Sequence, residues 1–127
     1  MSKLTFDALR AANTARLPLF KNALGGPAHS SADGSDWSLA DWTTAVTGEL
    51  GEFANIVKKV RRGDMTLEQA RSSMAKELAD VATYLDITAM QLGIDLGQAV
   101  IDKFNEVSLR VGAPVHISNG GIVSEAP

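Results

Sequence analysis

Two segments of this chain carry apolar residues at steps of three, four or, once, seven. Leu39, Trp42, Val46, Leu50, Phe53, Val57 and Val60 make one series, and Leu67, Ala70, Met74, Leu78, Val81, Leu85 and Leu92 make the other. That period lines one face of an α-helix. It predicts one helix from Ser38 to about Arg61 and another from Thr66 to about Leu92. Ser38 and Thr66 supply N-cap hydroxyls, and Asp41 places an acid in the first turn. Arg61-Arg62-Gly63 has the basic last turn and the glycine that suit a helix end. A shorter helix is expected over about 4–17, stopped by Pro18, and a fourth over about 96–110, capped by Asp95. The fold class that follows is all-α, an antiparallel helical bundle of about four helices per chain. The two long helices cannot bury all their apolar sides alone, so the core is expected to be completed by oligomerisation.

Between the first two helices lies a stretch of about eighteen residues, 20–37, rich in Gly, Ser and Asp. That is loop chemistry, and loops of this length often serve as lids or binding loops. Residues 113–127 read as an extended or disordered tail, with short strands at most in VHI and GIV. The chain has 127 residues, which fits one domain, expected over 1–112. Lys and Arg number 12 against 15 Asp and Glu, a net charge of −3, so the basic footprint of a nucleic-acid binder is missing. Cysteine is absent, which excludes disulfides, thiolate metal sites and a Cys nucleophile. No apolar run approaches the ~20 residues of a membrane helix, and MSKLTFDALR lacks the apolar stretch of a signal peptide. A cytoplasmic protein without a membrane partner is expected.

The chemistry is carried by acids. Glu49 and Glu52 are three residues apart, and so are Glu77 and Asp80. Such pairs share one helix face. At about 100° per residue they lie at the edge of their apolar stripes, not opposite them. If the two helices pack antiparallel, four carboxylates converge. Four like charges repel, and desolvation sharpens the repulsion. An all-oxygen ligand set of this kind suits a hard divalent cation such as Mg²⁺, usually bound together with substrate phosphates. The alternative is a set of surface acids paired with Lys58, Lys59 or Lys76.

The ordered set Glu49-x-x-Glu52 and Glu77-x-x-Asp80 resembles the signature of the MazG-like, all-α nucleotide pyrophosphohydrolases. The segment from Trp42 through Lys59, the segment Lys76 to Asp86, and Asp95-Leu-Gly-Gln-Ala-Val-Ile-Asp-Lys-Phe-Asn before Arg110 read like that family too. The resemblance covers about residues 37–112. It implies Mg²⁺, with Mn²⁺ as a substitute, held by Glu49, Glu52, Glu77 and Asp80. It also implies an aromatic contact to the nucleoside from Tyr84 and phosphate contacts from Lys103 and Arg110. Relatives often carry Asn four residues after that lysine, where this chain has Val107. Implied further are hydrolysis of (deoxy)nucleoside triphosphates to the monophosphate and pyrophosphate, a nucleotide-pool house-cleaning role, and assembly as a homodimer or tetramer of dimers.

Other residues are read individually. Trp42 belongs to the apolar stripe. Trp37 closes the long loop, where it either stacks on a base or packs. Asn55 lies near the acidic face, suited either to sugar or phosphate or to a polar contact within the bundle. Lys59 neighbours Glu52 two turns on and would offset phosphate charge. His29 and His116 fall in loop and tail and form no Glu-x-x-His pattern of a di-iron bundle. Two other functions compete: a relative acting on another phosphoanhydride such as an alarmone, and a non-catalytic helical module that binds a nucleotide or a partner.

Overall fold

The computed structural model describes residues 3–118 and 121–123. Their fold is all-α apart from one small hairpin. The elements are α1 (Phe6–Arg16), a single 3-10 turn (Leu17–Leu19), α2 (Leu39–Arg62), α3 (Leu67–Gln91), α4 (Leu96–Val111), β1 (His116–Ser118) and β2 (Gly121–Val123). Helix limits fall within two residues of those expected from the sequence. The caps explain why. Ser38 and Asp41 form a reciprocal capping box at the start of α2, and Thr66 with Gln69 forms another at the start of α3. Gly63 ends α2 in the left-handed conformation at φ 83°, and its N–H bonds back to Lys59 and Val60 carbonyls.

The contacts gather into two units, one running up to Leu92 and one from Gly93 onward. In the first, α2 and α3 form an antiparallel hairpin across the short turn 63–66, and α1 packs on α3. Leu17, Trp42 and Ile87 are its fully buried core, flanked by Phe20, Trp37, Tyr84 and Met90. Trp42 lies twenty residues before the end of α2 and Ile87 twenty after the start of α3, so the hairpin sets them level. α1 is fastened by Asp86, which is only 1% exposed. That carboxylate accepts from Arg10 Nε at 3.1 and 3.3 Å and from Asn13 Nδ2 at 2.9 Å. Much of the expected apolar stripe remains open to solvent, including Leu50, Val57, Leu78 and Leu85.

In the second unit, α4 holds β1 through one side chain. Asn105 donates to the Ile117 carbonyl and accepts from its N–H, both at 2.8 Å, as a neighbouring strand would. β1 pairs antiparallel with β2. The segment expected to be an extended or disordered tail thus contains a hairpin held to α4; residues 119–120 and 124–127 of that segment lie outside those described. No helix is long and apolar enough to cross a membrane among the described residues.

Candidate active site

Glu52 lies ten residues before the end of α2, and Glu77 ten residues after the start of α3. An antiparallel hairpin therefore sets them at the same height, about 15 Å from the turn at 1.5 Å per residue. Glu49 is one turn further along the same face of α2. The outcome is a cluster in which Glu49, Glu52 and Glu77 each offer a carboxylate oxygen within 4.8 Å of the others. Asp80 stands outside this tight group, yet its charge acts on Glu49 and Glu77.

The electrostatics are those of crowded acids. Partial burial raises the Glu49 carboxyl above its ordinary range, and the charges of Glu52, Asp80 and Glu77 push it further. Burial also raises Glu77, reinforced by the nearby Glu52 carboxylate and by the charge of Asp80. Glu77 Oε2 is shielded from solvent without a hydrogen-bond partner. A buried carboxylate oxygen left unpaired is costly. A hard divalent cation would supply its missing partner, and the donor set, oxygen throughout, fits one.

Tyr84 lies one turn beyond Asp80, half-buried against the core. Burial raises its phenol, helped by Glu49 and Asp80, while the Arg16 guanidinium opposes the rise. The phenol thus feels both the acids and a cation of α1. Arg16 also lies over Phe20, 5.3 Å from the ring centroid. Nothing in its sequence context marks Arg16, because its relation to Tyr84 arises only when α1 folds onto α3.

The remaining expected site residues are spread more widely. Trp37 is half-buried, 4.7 Å from Trp42 and 4.7 Å from His29 between ring centroids. It therefore packs on the core and still lines a recess of about 470 Å³ with Asp41, Thr44 and Ala45. Ala45 is one turn before Glu49, so this recess opens on the side of α2 leading to the acids. Asn55 and Lys59 are exposed further along α2 towards the turn. Lys103 and Arg110 belong to α4, in the second unit. Lys103 pairs with Glu106 at 2.9 Å, and Arg110 is exposed in the last turn. Val107 lines an apolar groove of about 510 Å³ on α4 with Val100, Phe104 and Val111. His29, unremarkable in sequence, stacks on Trp42 at 5.3 Å and meets Phe20 edge-on at 6.2 Å.

No family model and no solved structure matches the chain. Over 80 residues, 60% of its length, it is 35% identical to dCTP pyrophosphatase 1 of Mus musculus. The match spans 46% of that protein, so the chain covers about half of the curated relative. In sequence the chain resembles the MazG-like nucleotide pyrophosphohydrolases, and its similarity to a dCTP pyrophosphatase bears that resemblance out.

Proposed function

We propose that this chain hydrolyses nucleoside triphosphates to the monophosphate and pyrophosphate, with Mg²⁺ as its metal and Mn²⁺ able to substitute. The observation that supports this most is the convergence of Glu49, Glu52 and Glu77, with a buried Glu77 oxygen lacking a partner. Glu49, Glu52, Glu77 and Asp80 would hold the metal. When bound, it would screen the triphosphate and polarise the attacked phosphorus. A carboxylate of this set not fully engaged takes the proton of the attacking water as general base. Tyr84 and Trp37 border the nucleoside, Trp37 through the recess along α2. Asn55 serves sugar or phosphate, and Lys59, Lys103 and Arg110 offset phosphate charge. The name of the mouse relative supports dCTP as the first substrate to try. The working form is a homodimer or a tetramer of dimers, and the role is house-cleaning of the cytoplasmic nucleotide pool.

The test is pyrophosphate release from ribo- and deoxynucleoside triphosphates, with Mg²⁺ and with EDTA, beside a Glu49→Gln variant. Release that needs Mg²⁺ and disappears in the variant is expected. A folded, metal-binding protein that releases none would leave a non-catalytic binding module.

A further inference from the structure

Three fastenings meet at one point of the loop between the 3-10 turn and α2. Gly34 is buried with φ at 75°. A Cβ there would lie 2.7 Å from the Trp42 ring and 2.9 Å from Leu17, so only glycine fits. Its carbonyl accepts from Trp42 Nε1 at 3.3 Å. The neighbouring carbonyl, of Asp33, accepts from Gln91 Nε2 at 2.7 Å. Gln91 is the last residue of α3, level with the start of α2, which is why a residue 58 positions away reaches this loop.

The loop keeps its own shape by local bonds. The Asp36 carboxylate accepts from the N–H groups of Ser30 and Ser31 at 3.0 and 3.2 Å, and Asp33 Oδ1 accepts from Ser35 N–H at 3.0 Å. Those bonds do not attach it to the helices; Gln91 and Trp42 do. Beside the attachment is a cavity of about 440 Å³, between Thr14, Pro18 and Met90 on one side and Ala32 and Ser35 of the loop on the other. The loop therefore has room to shift as a body when a fastening is lost. What it carries is Trp37, the wall of the recess over Asp41, Thr44 and Ala45.

We infer that Gln91 is a positioning residue for the nucleoside end of the substrate, latching the loop so that Trp37 holds the recess in shape. This rests on the function proposed above. Gln91 lies fourteen residues beyond Glu77, about 21 Å along the helix at 1.5 Å per residue, so it acts only through the loop. The test uses the full chain with Gln91→Met, which keeps size and removes the donor, and Gln91→Lys, which restores one. For Gln91→Met, KM for nucleoside triphosphates rises about tenfold, the loss of one good contact. Its kcat and Mn²⁺ affinity stay at the wild-type values. Amide exchange quickens at Gly34 to Trp37, and Gln91→Lys recovers KM. An unchanged KM beside a working wild type would overturn this inference alone, as would a fall in kcat and Mn²⁺ affinity accompanying the rise in KM. A wild type that releases no pyrophosphate from any substrate would overturn the enzymatic reading as well.

Discussion

Glu52 on α2 and Glu77 on α3 bring carboxylate oxygens within 4.8 Å of one another across the hairpin. Two carboxylates that close repel, and shielding one Glu77 oxygen from solvent sharpens the repulsion. A divalent cation would relieve that repulsion. In Glu77→Gln the amide can donate to Glu52, and one repulsive charge is gone. The expected result is a metal-free protein that melts higher than wild type, with no further rise on adding Mn²⁺. Its kcat/KM should fall at least about a hundredfold, since a bound metal contributes several kcal/mol of charge stabilisation.

The same crowding sets a pH dependence. Glu49 and Glu77 hold protons more tightly when folded than unfolded. Their contribution to stability is fully present below the ordinary value of 4.5 and is lost as pH rises through the raised folded values. Asp33 and Asp36 act in the opposite sense. Hydrogen bonds within the loop lower both from 3.8, so their contribution is present above that value and lost as pH falls through the lowered ones. Melting temperatures in EDTA should thus decline from pH 4.5 upward through the raised values, and Glu49→Gln should flatten the decline. Mn²⁺ affinity should rise over the same window, because the metal needs the ionised carboxylates.

Asp86 carries the attachment of α1. Its carboxylate is buried, and it answers both Arg10 and Asn13. Removing Asp86 takes from Arg10 and Asn13 their shared buried acceptor, at a cost of about 3 kcal/mol for a pair only partly desolvated. Asp86→Ala should lower the unfolding free energy by about that amount in urea, and proteolysis should begin in α1. Metal binding at Glu49, Glu52 and Glu77 should survive, because α2 and α3 supply all three ligands.

How far the sequence carries depends on whether a relation is local. Helix limits were legible because caps and stripes lie within a turn of each other, as at Ser38 and Thr66. Glu49, Glu52 and Glu77 were legible because helical period and a short turn together fix their height. Asp80 shares that logic but falls outside the tight group, which spacing alone does not foretell. The Gln91 contact to Asp33, the Arg16 influence on Tyr84 and the packing of His29 on Trp42 join residues distant in sequence. No periodicity announces them. The Asn105 grip on Ile117 escaped for the same reason, since it depends on a chain reversal after Gly112.

Leu50 and Val57 on α2 and Leu78 and Leu85 on α3 are 50%, 41%, 49% and 45% exposed in the single chain. Large apolar side chains left this open on both packed helices suit a surface that another chain covers. Covering about half of each such side chain contributes about 1 kcal/mol apiece, and a symmetric dimer counts every residue twice. The protein should therefore scatter light as a dimer or larger at micromolar concentration. Leu78→Lys, which places a charge in that surface, should shift it towards monomer and leave α2 and α3 helical by circular dichroism. Helicity retained with the assembly lost identifies this face as the contact. A wild-type monomer at that concentration would remove the oligomer from the proposed working form.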